Sequence, residues 1–239
     1  MPLPSKRIIT LWVIVALLAT QLLPFSLNSV LGVGGASAKE HLNVVAILVE
    51  DELFEDSTDY EGLSAGYSVP STTLAKRIER YAEDVQAAMP DTKALILRTK
   101  ADEKPQNIVR VLERLYFEGE GQSDAITKLS GVVLVGNVPI PVVNKNDNRY
   151  LSLFPYTDFE DRVYLWDEAK GDFVRSPSIE NPKPEVWQGV IVPPEGEQGT
   201  GNNDFSSRNL LSEYFDKNHL YRQGDTEFSE FDQKLFYAN

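Results

Sequence analysis

Seven carboxylates crowd one short stretch of this chain: Glu50, Asp51, Glu52, Glu55, Asp56, Asp59 and Glu61. Oxygen donors at that density are what a hard cation such as calcium needs. The stretch also follows an apolar run of strand length, and open α/β sheets place ligands beyond the carboxyl ends of their strands. Its spacing fits no EF-hand loop. Calcium is therefore possible rather than required, with Glu50, Asp51, Glu55, Asp56 and Asp59 as weak metal candidates. The competing reading is solvated surface on an acidic protein. A second acidic group, Asp158, Glu160 and Asp161, precedes a hairpin pattern. Asp158 and Asp161 are candidate binding residues there, and a plain turn is the alternative.

Nucleophiles are scarce. Gly62-Leu63-Ser64-Ala65-Gly66 matches G-x-S-x-G, but that chemistry needs the serine on a tight turn leading directly from strand to helix. Here an acidic stretch lies before it and Pro70 after it, so a Gly/Ser loop is the better reading. With no cysteine, the chain has no disulfide, no thiolate metal site and no cysteine nucleophile. Its two histidines, His41 and His219, are too few for a three-histidine zinc site, and neither has a partner at ligand spacing. Gly32-Val33-Gly34-Gly35 imitates a phosphate loop without a strand before it. No catalytic residue is assigned.

The elements that must position these groups lie in a chain of 239 residues, 42% hydrophobic and 10% aromatic, which is enough to bury a core. Its 36 acidic residues against 23 basic ones give a formal charge of −13. That balance excludes a nucleic-acid partner held by phosphate neutralisation.

Residues 1–38 read as a signal peptide. Lys6 and Arg7 open it, the apolar run 8–19 follows, and Ala36-Ser37-Ala38 offers a small-x-small cleavage site ahead of Lys39. The protein is then secreted or cell-surface, with no stable membrane association once cleaved. An uncleaved N-terminal anchor is the alternative, although the run is short for a span.

Residues 42–49 form a near-continuous apolar, β-branched run, as a strand covered on both faces does. Leu74, Ile78, Tyr81, Val85 and Met89 form one stripe on a helix that Pro90-Asp91 stops. A strand centred on 94–97 follows. Next comes a helix opening at Pro105 with Ile108, Leu112, Leu115 and Tyr116 buried, then a strand over 131–135. Strand–helix–strand–helix–strand implies a parallel sheet with right-handed crossovers. Pro139 and Pro141 must leave that sheet. Residues 162–166 and 173–174 suggest a hairpin about Gly171, and 187–192 another strand. Residues 193–204 read as a surface loop. A helix from Ser206 or Ser207 carries Leu210, Leu211, Tyr214, Phe215 and Tyr221 on one side and stops at Gly224. The start of another helix runs into the C-terminus. The expectation is an α/β fold, a three-layer α/β/α sandwich with a mainly parallel sheet, incomplete at its C-terminal end. Its parts are a signal peptide (1–38), a first α/β subdomain (39–145) and the start of a second (146–239).

The segment Gly131-Val-Val-Leu-Val-Gly-Asn-Val-Pro-Ile-Pro141 resembles the LLVGD-x-x-x-IP segment of gingipain-type cysteine peptidases. Thr157-Asp158 with Tyr164 is similar to that family's Ser-Asp…Tyr element. Glu185-Val186-Trp187-Gln188-Gly189-Val190-Ile191 resembles its strand ending in Gly-Arg-Phe or Gly-Arg-Ile, with Val190 where arginine is usual. The helix ending at His219-Leu220-Tyr221 resembles the one after it. The likeness covers about residues 42–224. It implies a caspase-like sandwich and an exported peptidase homologue, represented by its N-terminal part and lacking the catalytic histidine and cysteine. His219 does not match the catalytic histidine. The alternative is a complete secreted, non-enzymatic α/β module that binds a protein or peptide, with or without calcium.

Overall fold

β1 (Asn43–Glu50) is buried from Val44 to Val49 with almost no solvent contact. Successive side chains of a strand point to opposite faces, so one apolar run feeds two cores. Val44, Ala46 and Leu48 pack on one face with Ile108, Leu112, Leu115 and Tyr116. Val45, Ile47 and Val49 pack on the other with Leu74, Ile78, Tyr81, Val85, Leu211 and Phe215. This computed structural model describes residues 43–60, 70–118, 128–177, 179, 183–193 and 207–223. The expected signal segment with Ala36, Ala38 and Lys39, together with His41, the Gly62–Gly66 pattern and everything from Gly224 on, lies outside the described residues.

β4 (Thr92–Thr99) and β5 (Lys128–Val135) flank β1, both parallel to it. β10 (Trp187–Ile191) pairs in parallel with β5, giving the order β10-β5-β1-β4. The parallel strands expected at 42–49, 94–97 and 131–135 are present, the second and third longer than the apolar runs that signal them. α2 (Leu74–Ala88) starts where the Thr73 side chain accepts the Lys76 N–H at 3.4 Å. α3 (Pro105–Phe117) has proline in its first turn. The β1→β4 and β4→β5 crossovers run in opposite directions across the sheet, and right-handedness then puts their helices on opposite faces. α2 and α3 lie so. α4 (Ser207–Arg222) joins α2 on its face. The result is an α/β architecture with a parallel central sheet and helices on both sides.

Two departures from the sequence pattern matter. The acidic stretch is not plain loop: α1 (Asp51–Glu55) forms there, and β2 (Asp59–Tyr60) pairs with β3 (Thr72–Thr73). In α4 the buried residues are Leu211, Ser212, Phe215 and Asp216, while Tyr214 and Tyr221 are exposed. The aromatic stripe misled because the face against α2 is chosen partly by charge: Asp216 sits there opposite Arg77.

Between β5 and β10 the chain builds a second sheet of order β7-β6-β9-β8, from β6 (Val142–Lys145), β7 (Asn148–Leu151), β8 (Tyr164–Asp167) and β9 (Asp172–Arg175). The expected hairpin is β8–β9, with Gly171 at φ +65° in its turn. A short 3-10 turn, Phe154–Tyr156, leads from β7 toward β8. It is anchored by the buried Tyr156, whose hydroxyl donates to Pro139 O at 2.6 Å. β10 and α4, both from the chain's second half, join the first sheet and its helical layer. Among the described residues no helix is long and apolar enough to cross a membrane.

Candidate functional site

The carboxyl end of the parallel sheet is where this topology ordinarily holds a ligand, between β1 and β5 where the strand order reverses. Here Glu50, the last residue of β1, reaches across that point. Its Oε2 accepts the Asn137 N–H at 2.8 Å. The chain leaves β5 through Gly136 at φ +77°, and a β-carbon there would lie 2.6 Å from Glu50 Oε2 and 2.7 Å from Leu53. Glycine is needed for the backbone angle and for room for the Glu50 carboxylate. The switch point is filled by the protein's own side chain.

The other carboxylates of the first acidic stretch have partners too. Asp51 pairs with Arg98, and Glu55 lies 3.4 Å from the same guanidinium. Asp56 accepts the Tyr60 hydroxyl at 2.6 Å and pairs with Arg208 of α4 at 2.5 Å. Those bonds, the Tyr60 hydroxyl foremost, hold the Asp56 carboxyl well below the usual range. Asp59 lies in β2. Glu50, Asp51, Glu55, Asp56 and Asp59 thus converge on no common point; arginines, a tyrosine and a backbone N–H take up four of them.

Beside this stretch lies a buried ion pair. The Arg77 Nε and Asp216 Oδ1 are 3.0 Å apart, both side chains fully buried, and Arg80 adds a second contact to Asp216 at 2.5 Å. Arg77 also donates to the carbonyls of Tyr60 and Thr72, so one guanidinium grips both strands of the β2–β3 pair. His219 has a structural partner: its Nδ1 lies 2.9 Å from Asp84 of α2, tying α4 to that helix.

The second acidic group sits at the opposite end of the sheet. Glu160 is engaged: its carboxylate accepts the Tyr116 hydroxyl and lies 3.5 Å from Lys128, the first residue of β5. Asp158 and Asp161, the two singled out in sequence, come together with Glu185, which sequence reasoning missed. One ligand oxygen from each lies within 4.8 Å of the others. Glu185 precedes β10 and is placed by backbone bonds, its own N–H donating to Thr157 O at 3.0 Å and the Val186 N–H to the same oxygen at 3.2 Å. Its Oε2 in return accepts the Phe159 N–H at 2.8 Å. No short motif carries this; the only sequence signal is an acid directly ahead of a strand.

Asp158 is buried, at 6% exposure. One oxygen, Oδ2, accepts the Val163 N–H at 2.7 Å, across a turn in which Arg162 adopts φ +49°. The other, Oδ1, is buried and has no hydrogen-bond partner. Burial pushes the carboxyl's pKa up, and the nearby Glu185 and Asp161 add to that. Asp161 is exposed and Glu185 half-buried, so the group faces water on one side. Three carboxylates so placed, with no lysine or arginine paired to them among the described residues, offer a metal ion a set of oxygen ligands. No protein-family model, curated protein or solved structure matches the chain.

Proposed function

We propose that the chain is an exported homologue of gingipain-type cysteine peptidases that lacks the catalytic histidine and cysteine, with a caspase-like sandwich and a protein or peptide as its partner. The observation that carries this reading is the strand order. The second, first, third and fourth central strands lie side by side and parallel, with helices on both faces, and the resemblance of residues 131–141 and 185–191 implies a sandwich of helices about such a sheet. Fold analogy does not by itself give activity, and a chain without cysteine has no thiolate to attack a peptide bond. This reading requires no cofactor.

Two measurements test it. The purified chain is expected to hydrolyse no peptide substrate, because it carries no thiol. Peptide cleavage by the purified chain would overturn this reading. Mass spectrometry of the exported product is expected to show Lys39 as its first residue, and an intact N-terminus would overturn cleavage.

A second reading, a binding module unrelated to peptidases, is favoured by β10. Trp187, Val190 and Val192 are exposed on and just after this strand, which pairs only with β5 among the described residues. A strand edge of that kind accepts an extended peptide. A screen of extended peptides is expected to yield binders that Val190→Lys weakens; a screen with no binders would remove this reading.

A further inference from the structure

We propose that Asp158, Asp161 and Glu185 form a calcium-class cation site that fastens the turn 158–163 to the root of the edge strand β10. The proposal stands on the site's own geometry and not on the peptidase comparison.

The carboxylates alone would not carry it, since exposed acids often lie near one another without an ion. The buried Oδ1 of Asp158 is the second observation. Buried polar atoms in folded proteins almost always have a partner, and this one, on an acid that is 6% exposed, has none. Its sister oxygen accepts the Val163 N–H, so Oδ1 is the carboxylate oxygen left without a donor. Its carboxylate neighbours are Asp161 and Glu185, acids like itself rather than donors to it. A cation satisfies all three.

The ligands are also oriented as metal ligands are, by hydrogen bonds from behind. Val163 N–H holds Asp158, and Phe159 N–H holds Glu185. These backbone groups rest on the core through Phe159, Val163 and Val186, all essentially buried. Oxygens on opposite sides of an ion bound at about 2.3–2.6 Å lie roughly 4.6–5.2 Å apart, a span that the observed 4.8 Å limit accommodates. An all-carboxylate set selects a hard ion, and the exposed Asp161 leaves room for the waters that complete six to eight ligands. Asp158 and Asp161 come from the connection ahead of β8, and Glu185 from the residue pair ahead of β10. An ion between them therefore bridges the second sheet's approach and the edge of the first.

The test is calcium titration of the chelator-treated full chain by calorimetry and thermal unfolding. Saturable one-site binding is expected, with Tm rising by roughly 5–10 °C at calcium ~100-fold above Kd. Hydrogen exchange of residues 158–163 and 185–191 slows at the same time. Asp161→Asn, at an exposed position that leaves folding intact, is expected to weaken binding at least tenfold, and Asp158→Asn to abolish the Tm shift. Glu52→Gln, in the other acidic stretch, leaves both unchanged. No heat at millimolar calcium, or binding that survives Asp161→Asn and Asp158→Asn, would overturn the site. An equal response to magnesium would overturn its assignment to the calcium class.

Discussion

Two acid-rich regions sit at opposite ends of the same parallel sheet, and they are chemically unlike. At the carboxyl end, Glu50, Asp51, Glu55 and Asp56 are matched by Asn137, Arg98, Tyr60 and Arg208. At the amino end of β10, Asp158, Asp161 and Glu185 face one another, and Asp158 keeps a buried oxygen without a partner. The richer cluster is electrostatically closed and the sparser one open. Carboxylate density along a sequence therefore says little about cation binding. What decides is whether the fold brings donors to those carboxylates or leaves them facing each other.

The comparison is broken hardest at Asp216, the buried anion beside the closed region. Asp216→Ala leaves Arg77 buried with its carboxylate gone, and is expected to destabilise the protein by about 3–5 kcal/mol in urea unfolding. A loss under 1 kcal/mol would mean that the network does not hold α2 and α4 together.

Asp56→Asn removes a carboxylate with a hydroxyl and a guanidinium donor, with an expected loss of about 1.5–3 kcal/mol at pH 7. The Asp56 carboxyl titrates below its ordinary value when folded. Its stabilisation is therefore fully present above the unfolded carboxylate pKa of about 3.9 and lost as pH falls through the lower folded value. The gap between parent and variant urea midpoints should close as pH drops from about 5 toward 2. A gap independent of pH would show that packing, not charge, is what Asp56 supplies.

At the open end the sign should reverse. Asp158→Asn keeps an acceptor for the Val163 N–H while removing a buried charge that two carboxylates oppose. In calcium-free buffer at pH 7 it is expected to stabilise the chain by about 0.5–1.5 kcal/mol. Destabilisation there would mean that the region is already matched by donors, and the contrast between the two ends would collapse. The smallest effect belongs to Glu55→Gln, whose side chain is exposed and 3.4 Å from Arg98. Its expected cost is under about 0.5 kcal/mol by the same unfolding measurement.

Much of the scaffold was legible before any coordinates. The run Val44–Val49 has the β-branched content and continuity that only a strand buried on both faces tolerates, and it lies at the centre of the sheet. The helix with Leu74, Ile78, Tyr81 and Val85 is buried at those positions. The small second sheet was legible only as one hairpin, because β6 and β7 are four residues each and β7 is wholly exposed. Short exposed strands carry no hydrophobic period to read. Gly131 shows the same limit in reverse. A β-carbon there would fall 2.2 Å from the Trp187 ring, so the glycine lets the two strands' side chains pack, a reason that no local pattern contains.

The residues by themselves determined which segments must hide from water and in which period, because burial of an apolar side chain is a property of its own chemistry. They also determined that this chain has no thiol. Tertiary structure alone decided which acids have donors. Arg208 reaches Asp56, and Glu185 reaches Asp158, only because segments distant in sequence converge about the same sheet. A charge takes its meaning from whatever lies within a few ångströms of it, and that neighbourhood exists only once the chain has folded.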